Sequence, residues 1–478
     1  MPEKLIFELP DGEENSYFCK VDGNPQDYIS PQFIRNTPPL IPNVGESGVV
    51  RHFINLSTLN YHVDKNLYPL GSCTMKYNPK VNETIASDPS FTQLHPDQPT
   101  SSAQGAMRIM GELQQMLGEL TGFTAVSLQP VAGAHSELTG ILMFRKYHQN
   151  QGIPRSKILV PDSAHGTNPA SGALAGYTIV KVKSNDQGTI DPEAVEKLMD
   201  EDSAGIMITN PNTLGLYEPK LPEICRIIHH QGGLVYMDGA NLNALLGMVK
   251  PGELGVDILH FNLHKTFSTP HGGGGPGGGG VAVTEQLKSY LPVPVIYRDD
   301  FEWKFNYELK NSIGPVHSYF GNFQVMLKAY CYILRLGLNG LKRVAEQAII
   351  NANYIRTQLE GIYHLPYSRV CMHEVVFSGD IQKKRGVKTL DLAKSLLDQG
   401  YHAPTIYFPL IVSEALMIEP TETESTESLD GFIQAMKKLD ELSQHNPEIL
   451  TASPHKTPVG RLDEVKAARE LKVRFNEQ

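Results

Sequence analysis

The chain has 478 residues, 40% of them hydrophobic and 20% charged, and a formal net charge of −10. That length exceeds one small core and predicts two domains, while the acidic balance excludes a general nucleic-acid binder, which needs a basic face. The N-terminus is acidic, with Asp11, Glu13, Glu14 and no apolar stretch, so no secretory or transit peptide is expected. No apolar run approaches the ~20 residues that cross a bilayer. The five cysteines, Cys19, Cys73, Cys225, Cys331 and Cys371, are odd in number and lack a CxxC pair. They predict a reduced, cytoplasmic protein, and no metal site is expected.

Residues 1–90 lack sustained periodicity and carry Pro38, Pro39, Pro42, Pro69 and Pro79, which predicts an irregular arm with short helices. Within it, Tyr68-Pro69-Leu70-Gly71-Ser72-Cys73-Thr74-Met75-Lys76 is dense in polar side chains. Local chemistry alone predicts a solvated turn around a small buried cysteine there. From Ala103 the apolar residues Met107, Met110, Leu113, Met116, Leu117 and Leu120 recur at helical steps, and Thr121-Gly122 ends the helix.

Strands and helices then alternate. Strands are predicted at Val126–Leu128, Lys157–Val160, Thr178–Val182, Gly205–Thr209 and Leu234–Met237, with helices at Gly133–Gln149, Pro192–Asp200 and Leu221–Gln231 between them. This pattern predicts a mostly parallel sheet covered on both faces. Val281–Val283 closes the sheet, residues 284–320 are mixed, and a long helical region runs from Phe323 to Leu359. Strands at Val370–Phe377 and Leu410–Met417, with helices at Thr389–Asp398 and Leu429–Leu442, predict a smaller α+β domain. The tail from Asn446 is expected to be ordered only by contact. The expected division is an arm over 1–90, a large domain over 91–325, and a small domain with its tail over 326–478.

Two strand ends carry chemistry. Leu234–Met237 delivers Asp238 to the C-terminal end of a buried strand, and Asp257–Phe261 delivers Asn262-Leu263-His264-Lys265-Thr266 beside it. A carboxylate and a lysine therefore face one crevice. Pyridoxal 5'-phosphate (PLP) needs such a pair, a lysine to bond its aldehyde and a carboxylate to keep its ring nitrogen protonated. A charge-assisted bond from Asp238 to the ring contributes on the order of 1.5–3 kcal/mol. Alone, each residue is better explained as a helix cap or a surface lysine. Together they point to the cofactor.

Loops upstream offer the remaining contacts. Gln129-Pro130-Val131-Ala132-Gly133-Ala134-His135 follows a strand and opens a helix, so the backbone of Gly133, Ala134 and His135 is placed to receive a phosphate. Ser163-Ala164-His165-Gly166-Thr167-Asn168 ends another strand. His165 there either lies flat on the pyridine ring, with Thr167 and Asn168 offering hydrogen bonds, or belongs to a turn in which Thr167 or Asn168 caps the next helix. Asn210 and Thr213 end a further strand, in contact with the cofactor's phenolic oxygen or in an Asx turn, and Ala240 follows Asp238. The run Gly272–Gly280 sits within a domain and is expected to be a shaped loop rather than a linker.

Six strings of this sequence resemble the PLP-binding half of glycine decarboxylase, the P-protein of the glycine cleavage system. They are Tyr-Pro-Leu-Gly-Ser-Cys-Thr-Met-Lys (68–76), Ser-Ala-His-Gly-Thr-Asn-Pro-Ala-Ser (163–171), Met-Asp-Gly-Ala-Asn-Leu-Asn-Ala (237–244), Asn-Leu-His-Lys-Thr-Phe (262–267), His-Gly-Gly-Gly-Gly-Pro-Gly (271–277) and Met-Ile-Glu-Pro-Thr-Glu (417–422). The resemblance implies the aspartate-aminotransferase-like fold (fold type I), an α/β class with a mostly parallel sheet in the large domain. It implies Lys265 as the lysine bonded to PLP and His165 as the residue stacked on the ring. Because the chain begins near the start of the family's second half, it resembles the separately encoded subunit 2.

The implied activity is that of a glycine dehydrogenase (aminomethyl-transferring), which decarboxylates glycine, releases CO2 and passes the aminomethyl group to the lipoyl group of H-protein. Lys265, His264 and His271 are then candidate proton carriers. The implied partners are subunit 1, in a heterotetramer, and lipoylated H-protein, with no nucleic acid and no membrane. Two other readings stay open at this point. One is a different fold type I enzyme, such as an amino-acid decarboxylase or a cysteine desulfurase. The other is a scaffolding subunit without activity.

Overall fold

Short apolar runs alternating with amphipathic helices assemble into one seven-stranded sheet. The computed structural model describes residues 3–9, 23–37, 41–271 and 277–473. Its sheet contains β1 (Ala125–Ser127), β2 (Lys157–Pro161), β3 (Thr178–Val182), β4 (Ser203–Thr209), β5 (Leu234–Gly239), β6 (Ile258–Asn262) and β7 (Gly279–Val283). The order is β1-β7-β6-β5-β4-β2-β3. Strands β2 to β6 run parallel, whereas β7 is antiparallel to both β1 and β6. Every residue of β4, β5 and β6 is buried, as a sheet covered on both faces requires. The mostly parallel α/β layer expected from the sequence is present.

Register fixes what the sheet presents at its C-terminal edge. Thr209 pairs with Asp238, and Asp238 pairs with His260, so these three polar side chains stand in one row across β4, β5 and β6. Gly272–Pro276 of the glycine run lie outside the described residues, while Gly279 and Gly280 are strand residues of β7.

The stretch that reads as mixed, 284–320, contains an antiparallel hairpin of β8 (Val295–Asp299) and β9 (Glu302–Asn306), with Trp303 buried in it. A second sheet, in the order β10-β12-β11, consists of β10 (Val375–Ser378), β11 (Thr405–Ile406) and β12 (Ala415–Ile418), all antiparallel. Two of these strands are shorter than their apolar runs suggest. Val370 and Leu410, taken as strand starts, are 73% and 84% exposed; an apolar residue with no partner layer stays in a loop.

The long helical region is one element, Phe323–Leu359, interrupted at Gly337 with φ 60° and ψ 180°. Val325, Met326 and Ile333 before the interruption, with Leu341 and Val344 after it, join the core under the large sheet. The last turns of the helix contribute Ala352, Ile355 and Leu359 to the core of the small sheet, with Phe377, Leu416 and Phe432. Residues Val63–Thr451 form one compact unit. The described residues up to His62, with those from Ala452 onward, form another. It holds the helices Glu46–Thr58 and Glu464–Arg469 in stretches that lack sustained periodicity. Among the described residues no helix is long and apolar enough to cross a membrane.

Candidate active site

Parallel strands open a crevice at their C-terminal ends. Here it is a cavity of about 190 Å³ lined by Gly133, Ala134, His165, Thr167, Thr213, Asp238, Ala240, His264 and Lys265, all singled out from the sequence. A larger cavity, about 860 Å³, lies between the helix Gln104–Thr121 and the β8–β9 hairpin. It gathers none of the strand-end residues, so volume does not mark the chemistry here.

Asp238 is buried at the end of β5, and burial works against its charge. Its neighbours outweigh burial: His260 beside it, the Asn168 side-chain N–H at 2.9 Å on Oδ2, the Ala240 backbone N–H at 2.9 Å on Oδ1, and Lys265 together hold the carboxyl below its ordinary range. His260 Nε2 is 3.4 Å from Oδ1, and its Nδ1 meets the Tyr236 hydroxyl at 2.5 Å. Asp238 is therefore an anchored carboxylate with a donor row behind it.

A second carboxyl stands nearby. Glu137, on the first turns of the helix Gly133–Asn150, accepts from Thr167 Oγ1 and Asn168 Nδ2, each at 3.0 Å, through Oε2. Burial, and then the charge of Asp238, push it up to about 7. Two adjacent carboxyls with opposed shifts divide the work: Asp238 carries the charge and Glu137 tends to keep its proton.

His165 sits at the cavity with Nδ1 2.9 Å from Thr167 Oγ1 and its ring edge-on to Phe408, 5.4 Å between centroids. Burial lowers its pKa. Thr213 Oγ1 is tied to the Ser163 carbonyl, joining the loops after β4 and β2. His264 lines the cavity with Nδ1 on the Gly278 backbone at 3.0 Å, and burial pushes it down to about 4. Lys265 follows β6 in the short helix Leu263–Thr266, and its Nζ donates to the Ser72 carbonyl at 2.7 Å.

Three candidates stand outside the cavity lining. His271 packs edge-on against His264, 5.1 Å between ring centroids, where burial pushes it down to about 3. Asn210 is fully buried, with Oδ1 accepting the Glu218 backbone N–H at 3.0 Å. His135 accepts the Val131 N–H at 3.3 Å and lies near His317.

The cavity is also lined by Ser72, Glu137, Thr209, Asn241, His260 and Asn262, none of which has an individual role in the expectations from sequence, although Ser72, Glu137, Thr209 and Asn262 lie in stretches singled out there. The turn 68–76 departs most from expectation. It is not a solvated turn: Thr74 and Lys76 are buried, and Lys76 Nζ bonds Asn243 at 2.8 Å, Glu422 at 2.9 Å and Tyr332 at 3.1 Å. Its density in polar side chains was the available signal, since such residues close to proline and glycine need internal partners when covered.

The residues present fit PLP. Glu137 Oε1, Asn168 Oδ1, Thr209 Oγ1 and Asn262 Oδ1 are buried around the cavity without a hydrogen-bond partner, an arrangement a polar guest relieves. The 18-residue helix Gly133–Asn150 points its N-terminus at the same space, where backbone N–H groups favour an anion. A Cβ on Gly133 would stand 2.5 Å from Asn262 Oδ1, so a larger residue there would have to displace the Asn262 side chain. A helix N-terminus, a carboxylate and an amine converge on one cavity.

Comparison with known proteins decides the family. The model of the glycine cleavage system P-protein matches residues 28–307, and that of the glycine dehydrogenase C-terminal domain matches 344–453. The chain belongs to the glycine cleavage system P-protein family. Among its relatives, a probable glycine dehydrogenase (decarboxylating) subunit 2 of Chlorobium phaeobacteroides is 55% identical over 482 residues, covering 99% of each chain. Another of the same description, from Caldanaerobacter subterraneus subsp. tengcongensis, is 51% identical over 476 residues, 98% of each. A crystal structure of an inhibitor-bound P-protein superposes with a TM-score of 0.71 at 20% identity, over 87% of this chain and 93% of that one. A cysteine desulfurase from Thermococcus onnurineus superposes with a TM-score of 0.61 at 16% identity, over 79% of this chain and 95% of that one. The fold is thus that of PLP-dependent fold type I enzymes, and membership of the P-protein family gives this chain PLP as its cofactor. The family settles the choice among fold type I readings that the sequence alone left open.

Proposed function

We propose that this chain is the PLP-bearing subunit of a glycine decarboxylase, acting as glycine dehydrogenase (aminomethyl-transferring). It removes the carboxyl of glycine as CO2 and hands the aminomethyl group to the lipoyl group of H-protein. The observation that carries the reading is the convergence of Asp238 and Lys265 on one cavity at the ends of β5 and β6. When bound there, PLP supplies an electron sink for the bond broken at the glycine α-carbon.

The chain's residues do the rest. Lys265, whose Nζ is at the cavity, would be the amine that holds the cofactor through its aldehyde. Asp238, kept ionised by His260, Asn168 and Ala240, holds the proton on the ring nitrogen. The N-terminal N–H groups at Gly133 and Ala134 would hold the phosphate, and His165 at the same cavity would be the residue against the ring. His264, neutral because of burial, has Nε2 left to receive or return a proton near the α-carbon. It suits this better than His271, which stands behind it and off the cavity.

The relatives' description as subunit 2 supports a further subunit in the working enzyme. The expected assembly is two copies each of subunits 1 and 2 in the cytoplasm, with lipoylated H-protein docking transiently. The test is borohydride reduction with peptide mapping, then exchange of labelled CO2 into glycine. The pyridoxyl label should fall on Lys265, and exchange should appear only with subunit 1 and H-protein added. A label on another lysine would overturn the site, and full exchange without subunit 1 would overturn the assembly.

A further inference from the structure

The turn against Lys265 is held in an unusual way. Ser72 and Thr74 both have positive φ, 64° and 35°, a region that side chains with a Cβ enter only when their surroundings impose it. What imposes it is visible. The Ser72 backbone N–H donates to Glu374 Oε2 at 2.9 Å, and the Thr74 backbone N–H donates to Glu419 Oε2 at 3.0 Å. Both glutamates are fully buried, one at the start of β10 and the other just after β12. A third tie comes from Thr405 Oγ1 in β11, which donates to the Gly71 carbonyl at 2.8 Å. Gly71 itself lies so close to Met417 that no Cβ fits. Thr405 of β11 and the residues directly flanking β10 and β12 thus grip one turn, and the turn's Ser72 carbonyl accepts from Lys265 Nζ at 2.7 Å.

Burial raises both carboxyls, and the neighbouring charges raise them further, that of Glu419 acting on Glu374 and that of Glu422 on Glu419. Surface packing alone gives no reason to place them there, since neutral side chains would fill the space without that conflict. Their position is explained by what they hold. We propose that the Ser72 carbonyl is the seat Lys265 Nζ takes whenever it is not bonded to the cofactor, and that Glu374 and Glu419 are positioning residues that hold this seat in place. The catalytic amine then stays beside the reacting carbon after glycine displaces it, instead of swinging out on its four-carbon stem. The inference rests on Lys265 being the cofactor lysine, as proposed above.

The test uses Glu374→Ala, Glu419→Ala, the two Gln counterparts and Thr405→Val, each in the PLP-loaded chain assembled with subunit 1 and H-protein. Hydrogen exchange of the peptide covering 70–76 reads the turn directly and does not depend on the reaction. The Ala variants should exchange faster there, with kcat for CO2 exchange down at least about tenfold and KM for glycine little changed. The Gln variants should restore most of kcat, because an amide oxygen still accepts the N–H. Thr405→Val, which releases the turn without touching a carboxyl, should move both readouts the same way by a smaller factor, and it decides the matter if the Ala variants fail to fold. A loosened turn with wild-type kcat would overturn the proposal, and so would Gln variants as impaired as Ala. Borohydride label away from Lys265 would instead sink the underlying site and leave the exchange result for the turn standing.

Discussion

His260 stands behind Asp238, its Nε2 3.4 Å from Oδ1, and its own second nitrogen is engaged by Tyr236. The row exists because β5 and β6 are parallel neighbours in a register that sets residue 238 opposite 260. A carboxylate so placed stays charged inside a buried layer, which a pyridinium partner has to do.

Asp238→Asn keeps the shape and removes the charge. It should still bind PLP through the phosphate seat, but CO2 exchange should fall about ten- to a hundredfold, the kinetic equivalent of a charge-assisted bond of roughly 1.5–3 kcal/mol. Wild-type turnover in this variant would remove Asp238 from the ring nitrogen.

Glu137 gives a pH signature in the cofactor-free protein. The folded chain keeps its proton up to about 7, whereas an ordinary glutamate releases it near 4.5. Between those values the folded state binds more protons than the unfolded one, so this group makes stability fall as pH rises. Glu137→Gln should flatten the Tm profile across that window, and an unchanged slope would show that the proton is not held.

For His165 the ring and the imidazole nitrogen can be separated. His165→Ala should weaken PLP binding about three- to tenfold, the worth of one aromatic face, and shift the visible band of the bound cofactor. His165→Phe should restore affinity if stacking is the role. If Phe is as weak as Ala, the bond to Thr167 matters instead.

Gly133→Ala introduces a Cβ 2.5 Å from Asn262 Oδ1. Relief of that contact should cost about 1–3 kcal/mol, as for other overpacked sites, and it should appear as weaker PLP binding in a fluorescence titration. Unaltered affinity would mean that the helix start and β6 part without disturbing the phosphate seat.

The parallel layer was legible because its strands are apolar runs punctuated by amphipathic helices: the strand Thr178–Val182 and the helix that starts at Leu221 fall where the sequence puts them. Asp238 and Lys265 were legible for the same reason, as polar residues directly following buried strands. Glu137 and His260 were not, because one faces inward from a helix and the other becomes adjacent only through inter-strand register. Ser72 was hidden more deeply. Nothing within the turn reveals that its acceptors lie in another sheet, and the exposed Val370 and Leu410 blurred where that sheet begins.

The same separation has a cost in time. Glu374 follows Ser72 by 302 residues and Glu419 follows Thr74 by 345. At about 5–20 residues per second of synthesis, the turn waits roughly 20–70 s for its acceptors to be made. During that interval the strands through β7, with Asp238 and Lys265, are made before Glu374 and Glu419, the groups that accept from the Ser72 and Thr74 backbone N–H. A nascent or truncated chain ending after β7 therefore carries the acid and the amine of the site but lacks its third wall. Only release of the last strands from the ribosome closes it.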